Sequence, residues 1–135
     1  MNFGESVLDA SAFLAYLRME PGAEDVAHAL AEGSVISTVN LSEVFTRVCE
    51  GGLDPGAFAQ ELADRGALFS ALLVEEFTYD DSIETSRMRP LTRYLGLSLA
   101  DRACLALAAR MEFPVLTADQ AWADLDLGID IRVVR

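Results

Sequence analysis

Lysine is missing from this chain, histidine occurs once and cysteine twice, and each shortage removes a class of chemistry. All ten basic residues are arginine, set against 22 aspartates and glutamates, for a net charge of −12. Sequence-independent binding to nucleic acid relies on Lys and Arg neutralising phosphates, so a general nucleic-acid coat is excluded. Zinc wants several Cys or His ligands at short spacing, whereas His28 stands alone and Cys49 and Cys104 form no such pair. Both cysteines lie among apolar neighbours in stretches that read as helical, and both are expected to be buried free thiols in a reducing compartment. No apolar run is long enough for a membrane span, and Met1–Glu5 has no basic stretch of the kind that opens a signal peptide. A cytoplasmic location without a membrane partner is expected.

A length of 135 residues with 52% hydrophobic content is enough to fill one core, so one domain over residues 1–135 is the expectation. Arginine without lysine favours planar, bidentate contacts over a diffuse positive field. Arg87, Arg89, Arg93, Arg102 and Arg110 fall in one stretch, either as a local positive patch or as surface partners of nearby acids.

Short apolar runs predict strands at Ser6–Leu8, Ser34–Ser37, Pro114–Thr117 and Ile129–Val134, with a weaker one in Leu73–Thr78. Helical signals lie between them. Ser11–Met19 is apolar at helical spacing and stops at Pro21-Gly22. Asn40 reads as an N-cap with Glu43 three residues on, in a helix that ends at Gly51-Gly52. Asp54-Pro55 opens a helix to about Arg65, and Asp80 or Asp81 opens one that ends before Pro90. Ser98 caps the clearest helix, Leu99–Glu112, and a short one spans Gln120–Asp124. Strands separated by helices imply a three-layer α/β/α sandwich around a mainly parallel sheet of four to five strands.

In such sheets, sites form outside the carboxyl ends of the strands. Asp9 follows the first strand and Asp119 follows the Val115–Thr117 run, while Glu43 and Asp101 lie one turn into helices that start from the same edge. Crowded carboxylates raise one another's pKa and stay ionised together chiefly when a cation compensates. Mg²⁺ or Mn²⁺ suits oxygen ligands, and phosphodiester hydrolysis suits those ions. Each acid also has a plain structural reading: Glu43 and Asp101 as capping-box carboxylates, Asp9 and Asp119 as cap or turn residues.

The stretches Val7-Leu8-Asp9-Ala10-Ser11-Ala12, Leu41-Ser42-Glu43, Gly96-Leu97-Ser98-Leu99-Ala100-Asp101-Arg102-Ala103 and Leu116-Thr117-Ala118-Asp119-Gln120-Ala121-Trp122 resemble, in order, the signature blocks of PIN-domain nucleases. More closely, they resemble VapC-type toxins of bacterial toxin–antitoxin pairs. The resemblance implies endonucleolytic RNA cleavage dependent on Mg²⁺ or Mn²⁺. It makes Asp9 and Asp101 the main metal carboxylates, with Glu43 and Asp119 completing the quartet and Asp119 sharing in metal binding. Ser11 and Thr117 fall on small hydroxyl positions able to bond Asp9, Asp119 or a scissile phosphate, and Asn40 stands where relatives often carry Thr. Arg102 is expected to pair with another acid or to reach substrate, and Trp122 to pack in the core. A homodimer and a small VapB-like antitoxin are the implied partners, and the acidic balance points to a structured RNA such as tRNA as substrate. Alternative readings are a housekeeping PIN-type RNA-processing nuclease and a non-catalytic PIN-fold interaction module. A phosphoacceptor signalling domain would need a lysine near its last strand, and there is none.

Overall fold

In the computed structural model, which describes residues 5–135, the short apolar runs form one parallel sheet. Met1–Gly4, the greater part of the stretch without basic residues, lies outside the described residues. Strands β1 (Ser6–Leu8), β2 (Ser34–Ser37), β3 (Leu72–Glu75), β4 (Val115–Thr117) and β5 (Ile131–Val133) are arranged in the order β3-β2-β1-β4-β5. The weak strand foreseen in Leu73–Thr78 is present, shifted toward its N-terminal end.

Side chains alternate across a strand, and here the alternation builds two cores. Leu8, Ile36 and Leu116 face one layer, where they meet Phe13 of α1 (Ala10–Leu17), Val26 and Leu30 of α2 (Ala23–Glu32), Val44 of α3 (Thr38–Glu50) and Leu62 of α4 (Pro55–Asp64). Val7, Val35 and Val115 face the other, against Met88 of α5 (Tyr79–Thr92), the Cys104–Ala108 run of α6 (Leu99–Met111) and Trp122. The result is the expected three-layer sandwich. Trp122 lies in the 3₁₀ turn Gln120–Asp124 and is wholly buried, as expected of a core residue. Among the described residues, no helix is long and apolar enough to cross a membrane.

Four sequence expectations need correction. Helix α2 was not anticipated, because its N-cap, Gly22, offers no side-chain cap and its buried face is only Val26, Ala29 and Leu30. Helix α3 begins three residues before the expected start: Ser37 caps it by accepting from the Val39 N–H, and Asn40 is already inside the helix. Helix α5 is capped by Thr78 rather than by Asp80 or Asp81, and it runs through Pro90 to Thr92. A proline in the last turn sacrifices one backbone bond at a φ that already suits a helix. Cys104 is buried but Cys49 is exposed, since it falls on the outer face of α3; both are free thiols.

Candidate active site

The crossovers that leave β1 toward β2 and return to β4 lie on opposite sides of β1, which opens a crevice at the carboxyl edge. Asp9, Glu43, Asp101 and Asp119 all line a cleft of about 170 Å³ at this place, together with Ser11, Leu14 and Arg47. The fold thus brings the predicted quartet together from four separate segments.

Each acid is delivered by local backbone chemistry. Asp9 ends β1 and caps α1, its Oδ1 accepting from the Ala12 N–H at 2.8 Å. Asp101 is the third residue of α6 and forms a reciprocal capping box with Ser98: the Ser98 N–H donates to Asp101 Oδ2 at 3.0 Å, and the Asp101 N–H donates to Ser98 Oγ at 3.1 Å. Asp119 caps the Gln120–Asp124 turn by accepting from the Ala121 N–H at 3.0 Å. Glu43 is different. The earlier start of α3 removes it from the capping turn, so its carboxylate serves no helix end.

Two hydroxyls tie the first and last acids together. Thr117 Oγ1 donates to Asp9 Oδ2 at 2.6 Å and accepts from the Asp119 N–H at 3.1 Å. Ser11 Oγ lies 2.7 and 2.9 Å from the two Asp9 oxygens and accepts from the Ala118 N–H at 2.9 Å. Asn40, buried, bridges α3 to α6: its Nδ2 donates to the Ala100 carbonyl at 3.0 Å and to Glu43 Oε1 at 3.4 Å. Its Oδ1 has no protein partner.

Arg102 points away from this cleft and donates to the Thr85 carbonyl of α5 at 2.7 Å, so its contact is a backbone oxygen rather than the acid expected. Two other arginines of that stretch are surface partners of nearby acids, Arg110 with buried Asp81 and Arg87 with Glu84. Arg47, which the sequence reading passed over, lines the cleft instead. Its spacing of four residues from Glu43 was the available signal.

Burial pushes the Asp9 carboxyl up from 3.8 to about 6; the bonds from Thr117, Ala12 and Ser11 oppose this and the negative charge of Asp101 adds to it. Glu43 is also raised, mainly by burial, with Asn40 opposing, Asp101 adding, and Arg47 pulling the other way. Even the Cys104 thiol is raised, first by its burial and then by Asp9, Asp101 and Glu43. The cleft is therefore short of positive charge.

The donor set fits a hard divalent cation, because every side-chain donor at the acidic centre is an oxygen. Among the described residues, no group of three or more His, Cys, Asp or Glu side chains is placed to hold an ion by itself. That is compatible with Mg²⁺, which usually keeps several waters and takes only one or two carboxylates.

A parallel-sheet sandwich with an acidic crevice at its topological switch point defines the class. A family model for the PIN domain matches residues 6–127, and the chain belongs to the PIN-domain family. Its fold is similar to a toxin–antitoxin complex from Klebsiella pneumoniae, at 18% identity and a TM-score of 0.68 over 96% of this chain and 98% of that one. It is similar also to VapBC2 from Rickettsia felis bound to a DNA fragment from its promoter, at 14% identity and a TM-score of 0.71 over 97% and 99% of the two chains. A third similar structure is VapC20 of Mycobacterium tuberculosis, a sarcin–ricin loop cleaving toxin, at 19% identity and a TM-score of 0.61 over 90% and 96%. At these identities the likeness is one of fold. No curated protein sequence matches.

Proposed function

We propose that this chain is a VapC-type toxin: an endoribonuclease that hydrolyses RNA phosphodiesters with the help of Mg²⁺ or Mn²⁺ and is silenced by a VapB-like antitoxin. The observation that carries the reading is the convergence of Asp9, Glu43, Asp101 and Asp119 on one small cleft of a PIN domain. Four independent helix caps would have no reason to meet there, and Glu43 caps nothing. The similar folds that work in toxin–antitoxin complexes support the partner, and the sarcin–ricin cleaving neighbour supports a structured RNA as target.

Asp9, Asp101 and Asp119 would hold the ion, with Glu43 beside them. When bound, such an ion supplies compensation for the crowded carboxylates, stabilisation of charge on a phosphodiester and a lowered pKa for water. The chain's own residues do the rest. Thr117 and Ser11 hold the Asp9 carboxylate with both oxygens engaged, so its orientation is fixed before substrate arrives. Glu43, which lines the cleft without serving a helix end and whose carboxyl is raised mainly by desolvation, is the acid suited to accept a proton from an attacking water. Asn40 keeps the Glu43 turn and the Asp101 turn at a constant separation. Pairing as a homodimer, one domain over the whole length and a cytoplasmic setting belong to the same proposal.

Expression in a bacterial host tests it. Wild type should arrest growth and the purified chain should cut RNA in Mg²⁺, whereas Asp101→Asn, which keeps an oxygen for the Ser98 N–H, should fold, lose the arrest and lose more in cleavage rate than the roughly 10–100-fold that goes with an outer-shell partner of a metal ligand. A folded Asp101→Asn protein as toxic and as active as wild type would show the quartet assignment to be wrong. Even cutting of unstructured RNA would remove the preference for a folded target.

A further inference from the structure

Among the described residues, Arg47 is the one arginine that lines the carboxylate cleft, and its charge is felt at Glu43. It stands one helical turn beyond Glu43 on α3. Most other arginines are engaged elsewhere: Arg65, Arg87, Arg110, Arg132 and Arg135 pair with acids, and Arg102 bonds a backbone carbonyl. Arg47 has a partner too, Glu50 at 3.3 Å, but both side chains are 61% exposed. An exposed pair of this kind holds its members weakly.

A chain of net charge −12 that acts on a polyanion must bring phosphate to a cleft already lined by four carboxylates. A divalent ion offsets charge there but offers no planar fork to orient the strand. A guanidinium does, through two parallel N–H bonds to one phosphate. We propose that Arg47 is the substrate-gripping residue of this cleft, leaving Glu50 to bind a phosphate of the RNA that flanks the scissile bond. The inference rests on the endoribonuclease reading. Glu50 then acts as a competitor that keeps the guanidinium out of the acidic centre while the cleft is empty of RNA.

The test is steady-state cleavage of a labelled RNA stem-loop in Mg²⁺ by wild type, Arg47→Ala, Arg47→Lys, Glu50→Gln and the Arg47→Ala/Glu50→Gln double variant. Arg47→Ala should raise KM about tenfold with kcat within a factor of about two. The slope of log KM against log salt should fall by about 0.7 to 0.9, the loss of one phosphate contact in the loop or in the stem. Arg47→Lys should recover part of the affinity, since charge returns without the fork. Glu50→Gln should lower KM by a factor of about two to five, and that gain should vanish in the Arg47→Ala background. Three results overturn the proposal: KM unchanged in Arg47→Ala, a changed half-saturating Mg²⁺ concentration with KM intact, or a Glu50→Gln gain that survives without Arg47. If wild type cuts neither this stem-loop nor total cellular RNA, it is the endoribonuclease reading that fails; anisotropy of the same labelled stem-loop then decides for Arg47, and equal binding by wild type and Arg47→Ala overturns it.

Discussion

Replacing Asp9 by Asn should make the protein more stable in metal-free buffer at pH 8 while removing a central acid of the cleft. Asp9 is only 4% exposed, and its carboxyl is raised from 3.8 to about 6. Because the folded-state value lies above the unfolded one, the fold favours the protonated form. Stability is then fully present below pH 4 and is lost as the pH rises through about 6. The gap between the two values amounts to about 3 kcal/mol at pH 8. Asn removes that penalty and keeps one oxygen for the Ala12 N–H, bonded at 2.8 Å. It also presents an NH₂ group to Thr117 Oγ1, whose hydroxyl must turn to accept, at a cost of about 1 kcal/mol. The net expectation is a gain of about 2 kcal/mol at pH 8 and a small loss, within about 1 kcal/mol, at pH 4. Urea unfolding followed by the fluorescence of buried Trp122, the only tryptophan, measures both values in EDTA. The midpoint at pH 8 should rise by roughly 1–1.5 M. Added Mg²⁺ should stabilise wild type by mass action and leave the variant nearly unchanged. An Asn variant less stable than wild type by the same amount at both pH values would refute the reasoning and leave Asp9 as a net stabilising helix cap.

Thr117→Val keeps the shape of a fully buried side chain but removes the 2.6 Å donor to Asp9, so Asp9 should move further up; the variant should lose about 1–3 kcal/mol at pH 8 and clearly less at pH 4, in the same urea assay. A loss independent of pH would separate Thr117 from the charge on Asp9. Gly22 has φ +99°, and a Cβ there would stand 2.4 Å from the Val134 carbonyl oxygen. Gly22→Ala should therefore cost more than about 2 kcal/mol and lower Tm by roughly 6–12 °C; an unchanged melting curve would contradict the close approach of α2 to the C-terminal strand. A thiol reagent should modify Cys49 rapidly in the native protein and reach Cys104 only on unfolding, because Cys104 is buried and its thiol is raised by that burial. Rapid native modification at Cys104 would mean that α6 is less well packed than described.

Much of this molecule is written locally. The runs Ser6–Leu8, Ser34–Ser37 and Val115–Thr117 are short and bounded, and Ser98 with Asp101 is a capping box that shows its spacing in the sequence. These signals depend only on neighbours along the chain, and they were enough to assign the layers, the parallel sheet and the edge to which the acids belong. Signals weakened by poor local chemistry were lost. Helix α2 starts at a glycine with no side-chain cap and is stabilised by what Val26 and Leu30 pack against. Helix α5 tolerates Pro90 because only its last turn is affected, with Thr92 Oγ1 donating to the Met88 carbonyl beside it.

By itself, the sequence determined the fold class and the strand-to-helix alternation, and it singled out four acids that would lie at one sheet edge, because periodicity, caps and motif blocks are properties of contiguous residues. Only the tertiary structure decided the surroundings in which those acids sit. Burial raised Asp9 to about 6, a quantity that depends on which layers close over it. The true start of α3 freed Glu43 from capping, and the packing of α6 on α5 turned Arg102 to the Thr85 carbonyl, while the face of α3 brought Arg47 to the cleft. Each of these depends on which surfaces lie against each other across the sheet, and long-range contact of that kind leaves no periodic trace in the order of the residues.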